Sequence, residues 1–349
     1  MKRVITIILI IALGMTHSEL MINARENTNL DLICDSIMES YRVIYSDEWK
    51  TKPYSEQIEA IDCFVSDVDS LTTNQLLKLM LCYPFKMDYL FFDSHIEGIE
   101  YLKRISSIFR TAYARNDFAM CVEALYTELM QEEINNQSLV NTIFLKDIMS
   151  LLELNRSLNN NSHQRIIDES IQSRLYGFIA DGGTYTEGNT VYKTGWYYKY
   201  NTGEYCLKFQ SGDYTTSEQT ALIYNNIVNH PGWVYQAPPS KKYNCHSYAW
   251  ISTDLDNRYW INTLNHYPNS SDVTFINTNG PVTISNSRVV IKAGNTVRHS
   301  VIASVTTSSN NILNSTQCVS KLGENGVYAT SLADMYTLYG GTSHSVYTV

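Results

Sequence analysis

One stretch of this chain could make a reactive thiol, and one histidine further along could serve it as a base. The stretch Lys242-Tyr243-Asn244-Cys245-His246-Ser247-Tyr248-Ala249-Trp250 reads as loop, cap, then helix. Asn244 is a good N-cap, because its side-chain oxygen can accept from the free N–H groups of a first turn. Cys245 then falls in that turn, where the helix dipole and the unsatisfied N–H groups favour negative charge. A thiol so placed has its pKa lowered and becomes a better nucleophile at neutral pH. The same N–H groups could hold the oxyanion formed when sulfur attacks a carbonyl.

A thiolate needs a base within hydrogen-bond reach. Residues 296–305 read as a strand after a Gly294-Asn295 turn. Alternation puts Val297, His299, Val301, Ala303 and Val305 on one face, and Arg298, Ser300, Ile302 and Ser304 on the other. His299 therefore lies on an apolar face, against which the Cys245 helix is expected to pack. A base needs an orienting partner. If the chain turns back near Ser309 and Asn310, position 299 faces 319 or 320, which makes Ser320 the candidate, with Gln317 and Lys321 open. His246 is expected to border a substrate cleft or to fix the helix start. Neighbours on a helix point about 100° apart, and no CxxC or HxxxH spacing is present. No metal and no cofactor is expected.

These blocks carry a resemblance. A Cys at a helix start, a His on a strand and a polar residue on the next strand is similar to the papain-like superfold in its minimal, NlpC-type form, that of cell-wall peptidases and amidases. More narrowly, Asn244-Cys245-His246-Ser247-Tyr248-Ala249-Trp250, Arg298-His299-Ser300 and Val319-Ser320-Lys321-Leu322-Gly323 resemble a group of exported bacterial proteins. Those share an N-C-H-S-Y-A-W block, an H-S strand and an S-K-W-G block. The resemblance covers about the last 110 residues. It implies Cys245 as nucleophile, His299 as base and Ser320 in the third position. Tyr243 matches a Tyr found near the oxyanion site in such enzymes, with core packing as its other role. Asn244 and His246 would border the cleft. The implied activity is cleavage of an amide bond in cell-wall peptide or a peptide-like substrate. Three positions depart from the pattern. Asn-Cys-His-Ser stands where Asp-Cys-Ser-Gly is usual, Leu322 replaces a Trp, and Ser320 replaces His, Asn or Gln. The departures raise a second expectation, a papain-like binding module without catalysis.

The rest of the chain must position this domain. Lys2-Arg3 before the apolar run Val4–Leu13 reads as a signal peptide over residues 1–24. Export, with no membrane attachment after cleavage, follows from that reading. Residues 25–178 read as an all-α domain. A Thr72/Gln75 capping box opens one helix there, Asp117 can cap another, and apolar stripes recur at helical spacing through Ile96–Phe109, after Asp117, and over Val140–Leu151. Ile167, Ile171 and Leu175 support a last helix. This half carries no catalytic spacing and is expected to act as scaffold, cover or protein-partner module. Residues 179–239 read as a β-rich connector, including one hairpin over Gly195–Tyr205. The fold class expected is α+β, an all-α domain before a small papain-like domain at 240–349. With 26 Lys+Arg against 35 Asp+Glu and no basic cluster, nucleic acid is excluded as a partner. Seven cysteines without a dense framework leave at least one thiol free.

Overall fold

Helices come first in the chain and strands second. The computed structural model describes residues 35–62, 68–130, 136–157, 177–187 and 189–349. The signal-peptide reading at 1–24, Cys34, Cys63 and the helix expected around Ile167–Leu175 lie outside the described residues. Residues 35–40 are helical, followed by α1 (Asp47–Thr51), α2 (Tyr54–Asp62), α3 (Thr73–Cys82), α4 (His95–Ile105), α5 (Ser107–Tyr113), α6 (Phe118–Leu129) and α7 (Asn136–Ser157). The Thr72/Gln75 box caps α3 reciprocally. Such a cap is worth about 1 kcal/mol. Ser94 caps α4 by accepting from the Glu97 N–H. The stripe expected to run on to Phe109 breaks at Ser106, so Phe109 belongs to α5 and Ile96 faces solvent. Asp117 does not cap α6. Its carboxylate accepts from the Thr73 hydroxyl at 2.6 Å instead, tying α6 to α3.

The strands form two antiparallel sheets. The smaller, in the order β1-β2-β3-β5, joins β1 (Gly177–Glu187), β2 (Thr190–Lys199), β3 (Thr202–Ser211) and β5 (Tyr259–Trp260). Its β2–β3 hairpin closes through Tyr200 and Asn201, both left-handed at φ 56° and 55°. That geometry matches the twist of paired strands. The larger sheet joins β4 (Val234–Ala237), β6 (Thr274–Thr278), β7 (Ser287–Ala293), β8 (Thr296–Ala303), β9 (Gln317–Lys321), β10 (Val327–Ser331) and β11 (Ser343–Thr348). Their order is β4-β10-β9-β8-β7-β11-β6. Helices α8 (Thr216–Asn229), α9 (Cys245–Trp250), α10 (Ile312–Ser315) and α11 (Leu332–Tyr339) complete the fold.

The segment read as a β-rich connector is more than that. It contains α8, opened by a Thr215/Glu218 capping box, and β4, the edge strand of the larger sheet. The Tyr- and Thr-rich composition of the segment around it hid the helix. The two regions also share one interior. A single apolar cluster runs from Ile37, Leu76, Phe91 and Phe144 to Val289, Ile291, Val301, Leu322 and Tyr339. Each such side chain contributes roughly 1.5–3 kcal/mol on burial. This shared core fixes where the helical region can touch the site.

Candidate active site

Strand β8 presents two faces with different neighbours. Ser300 and Ile302 look toward α9: the Ser300 hydroxyl meets His246 Nδ1 at 2.8 Å and Trp250 Nε1 at 3.2 Å. Val301 and Ala303 join the shared core with Val289, Ile291 and α11. His299 is on this second face, its ring stacked on Tyr339 of α11 at 3.8 Å and 14°. So α9 packs on the Ser300 face, and not on the apolar face carrying His299 as alternation suggested. The reason is competition, because α11 and the helical region already cover that apolar face.

Cys245 begins α9. Asn244 caps the helix, its Oδ1 accepting from the Ser247 and Ile261 N–H groups at 3.1 and 3.2 Å. Its Nδ2 donates to the Ile261 carbonyl at 2.7 Å and to Asp93 Oδ1 at 3.0 Å. An aspartate in this place would meet Asp93 charge to charge, which accounts for Asn in the block. The backbone N–H groups of Ser300 and His246 lie near the Cys245 sulfur. It therefore sits beside the residue that follows His299. These donors favour a thiolate, but burial outweighs them. Only 1% of Cys245 is exposed. Burial, then the Asp93 carboxylate, push the thiol well above its ordinary value, with the two N–H groups and Lys321 pulling weakly the other way.

His299 is wholly buried. Its Nε2 lies 2.7 Å from Ser320 Oγ, and its Nδ1 has no hydrogen-bond partner. The Ser320 hydroxyl also has the Ser300 and Lys321 carbonyls, each at 3.1 Å, to receive its proton. With that proton on a carbonyl, Ser320 accepts Nε2–H, and Nδ1 keeps the lone pair of a base. Burial, then the charge of His246, hold His299 well below the usual histidine range, so the ring is neutral. No hydrogen bond joins it to Cys245. Ser320 does not reach His299 straight across the ladder. Ile302 faces Val319 and Ala303 faces Cys318, so Ser320 lies further along than the expected register. Residues 309–315, which form a short 3₁₀ turn and α10, lengthen the connection beyond a hairpin and move the register. Gln317 is exposed at the start of β9. Lys321 turns away to the Ser240, Gly323 and Asn325 carbonyls, and burial lowers it to about 7.

Tyr243 packs with Ala237, Tyr248 and Val327, its ring under the Lys321 ammonium at 5.2 Å. Of its two expected roles, packing is the one its contacts describe. Burial alone takes His246 down to about 4.

The residue that sequence reasoning missed is Asp93, from the helical region. Its Oδ1 lies 4.0 Å from Cys245 Sγ, and its Oδ2 lies 3.6 Å from His246 Nε2. Burial raises it to about 7. The Asn244 amide opposes this, Glu97 adds to it, and Lys321 opposes it slightly. A backbone clamp holds this residue over the thiol. The Leu90 carbonyl accepts from the Glu324 N–H at 2.9 Å, and the Phe91 carbonyl accepts from the Tyr339 hydroxyl at 2.6 Å. Gly323, at φ +46°, lies so close that a Cβ would overlap the Leu90 and Phe92 carbonyl oxygens. Nothing in Phe91-Phe92-Asp93-Ser94 signals the role, since it depends on a contact between residues 152 positions apart.

Asp93 also lines a cleft of about 280 Å³, with Glu97, Tyr185, Tyr192, Trp260 and Asn262 among the walls. Among the described residues, Asp93, Cys245 and His246 form a set of donors able to hold a metal ion, their atoms all within 4.8 Å of one another. Among the described residues, no helix is long and apolar enough to cross a membrane. No protein-family model matches the chain, no curated protein is significantly similar to it, and no solved structure matches it.

Proposed function

We propose that this protein is an exported cysteine hydrolase of papain-like, NlpC-type build, cleaving an amide bond in cell-wall peptide or a similar peptide. One observation carries the reading. A neutral imidazole, His299, is held at Nε2 by Ser320 with Nδ1 open. The backbone N–H of Ser300, the next residue on the strand, lies near the Cys245 thiol, which stands at a helix start. In the reaction, His299 Nδ1 takes the Cys245 proton and the sulfur bonds to the carbonyl carbon. The negative charge moves to the carbonyl oxygen, which first-turn N–H groups stabilise. The imidazolium then protonates the leaving amine as the C–N bond breaks. Water, deprotonated by the same ring, releases the acid and returns the thiol.

The described state is closed, with Asp93 on the sulfur. Turnover therefore requires the Asp93 carboxylate to move off Cys245 and the His299 ring to come within hydrogen-bond reach of the sulfur. Zymography on purified cell walls tests the reading with wild type, Cys245→Ala and Asp93→Asn side by side. Clearing by wild type, lost in Cys245→Ala, is expected, with Asp93→Asn reporting whether relief of the thiol or loss of the carboxylate dominates. Equal clearing by Cys245→Ala would refute it.

The burial of Cys245 favours a second reading, a papain-like module without catalysis whose helical region binds a protein partner. Iodoacetamide titration separates the two. A thiol that stays sluggish even in Asp93→Asn supports the module, and a fast one supports the enzyme.

A further inference from the structure

The cleft beside the thiol has a composition that the hydrolase reading does not explain. Three aromatic rings form one corner of it. Tyr192 stands 6.1 Å from Tyr185 at 39°, and 6.5 Å from Trp260 at 65°. The Tyr192 hydroxyl is turned away to the Lys241 carbonyl at 2.7 Å, so its ring rather than its polar end forms the wall. The same lining holds the carboxylates of Asp93 and Glu97 and no Lys or Arg. Arg298 pairs with Glu97 from outside, which leaves Asp93 as the acidic group without a cationic partner in contact. Its close neighbours are the Asn244 amide, the Cys245 thiol and the neutral His246.

We infer that this cleft binds an alkylammonium group, with Asp93 as its counter-ion and Tyr185, Tyr192 and Trp260 as its aromatic wall. Ring faces carry negative charge density and attract cations, most strongly where water is displaced. A carboxylate beside such a wall completes the recognition of an ammonium, whereas an anion is repelled and a neutral group leaves the carboxylate uncompensated. At about 280 Å³ the cleft falls just below the usual range for whole small-molecule ligands. It suits a side chain of lysine or diamino-acid size. The inference deepens the hydrolase reading by naming a feature of the substrate, and it has a consequence there. An ammonium paired with Asp93 draws the carboxylate's charge away from the Cys245 sulfur, so occupation of the cleft and release of the thiol are coupled.

Calorimetric titration with n-butylammonium and with n-butanol tests the binding in the Cys245→Ala protein, where catalysis plays no part. The ammonium is expected to bind at least about tenfold more tightly than the alcohol. Asp93→Asn is expected to remove that preference, and Tyr185→Leu, at a half-exposed position, to weaken it severalfold. In the wild-type chain, n-butylammonium is expected to speed iodoacetamide labelling of Cys245, with n-butanol inert. Equal affinity for amine and alcohol, or undiminished ammonium binding by Asp93→Asn with an intact thermal transition, overturns the inference. Failure of cell-wall hydrolysis with ammonium selectivity intact would count against the enzyme reading alone.

Discussion

Two buried carboxylate–histidine sites in this molecule invite comparison, one around His230 and one around Cys245. At the first, His230 Nε2 lies 2.9 Å from Asp88 Oδ1, and the Tyr54 hydroxyl donates to the other carboxylate oxygen. The imidazole stacks on Trp233 at 4.3 Å and 16°, with Phe85 and Phe91 around it. Both side chains are only 1% exposed. At the second, Asp93 is 19% exposed and borders a cleft, and His246, beside it, and His299 are hydrogen-bonded to serines rather than to carboxylates. His230 and His299 each have one ring nitrogen without a partner. An unpaired nitrogen alone therefore does not mark a site. What differs is the company: Ser300, next to His299, lies near a helix-start thiol, and Asp93, by that thiol, borders a cleft. The His230 cluster is a structural tie, and on the hydrolase reading the Cys245 cluster is the reactive one.

Paired substitutions break that comparison most directly. His299→Ala is expected to lower amide hydrolysis by about 10³-fold or more, with a modest change in stability. His230→Ala is expected to leave the chemistry intact but cost about 3 kcal/mol or more, since Asp88 is left charged and buried. Urea denaturation beside initial rates reads both, and the reverse pattern would dissolve the distinction.

Asp93→Asn should act next most strongly. Cys245 alkylation at about pH 8 is expected to rise at least about tenfold, because the carboxylate no longer raises the thiol. The variant should also gain about 2 kcal/mol at that pH, after allowance for the partial exposure of the carboxylate. A less stable variant would show that the charge supports the fold. Gly323→Ala attacks the clamp rather than the charge. The left-handed φ and the overlap with the Leu90 and Phe92 carbonyls predict a loss of about 1–3 kcal/mol and faster Cys245 labelling. Unchanged labelling would mean that residues 90–93 keep their place without the clamp.

The pH dependence sharpens the contrast further. His246 titrates near 4 in the folded chain and His299 well below 6.5, whereas unfolded histidines titrate near 6.5. Below pH 6.5 the unfolded chain binds more protons, so stability is lost as pH falls toward 4, by about 3 kcal/mol for His246 alone. Asp93 works in the opposite direction. Its folded value of about 7 exceeds the ordinary 3.8, so it costs stability as pH rises between those values. The two largely cancel in the wild type, and denaturation of Asp93→Asn from about pH 7 to 4 should expose the steeper acid loss. Parallel profiles would place the titration elsewhere. The smallest effect is expected from Ser320→Ala, about a tenfold fall in kcat with a displaced pH–rate profile, because Nε2–H loses its oriented acceptor.

The elements legible in sequence are those whose signals are local. The Asn244 cap, the Gly294 turn and the Thr72/Gln75 box each depend on residues a few positions apart, and the β2–β3 hairpin carries its own turn. What sequence hid depends on distant surfaces. Alternation gave His299 and Ser300 opposite faces, but not which face α9 or α11 would cover. Asp117 looked like a cap because its rival, the Thr73 hydroxyl, lies 44 positions away. Asp93 was invisible for the same reason, and so was α8 among tyrosines and threonines that read as strand.

The common interior of the two regions limits how the thiol can be uncovered. Val289, Ile291, Val301 and Tyr339 are buried in the same cluster as Leu76, Phe91 and Phe144. Proteolytic removal of the helices would strip one face of the larger sheet bare and leave neither fragment a closed interior. On the hydrolase reading, access to Cys245 is then a local movement at residue 93 and not a parting of the two regions.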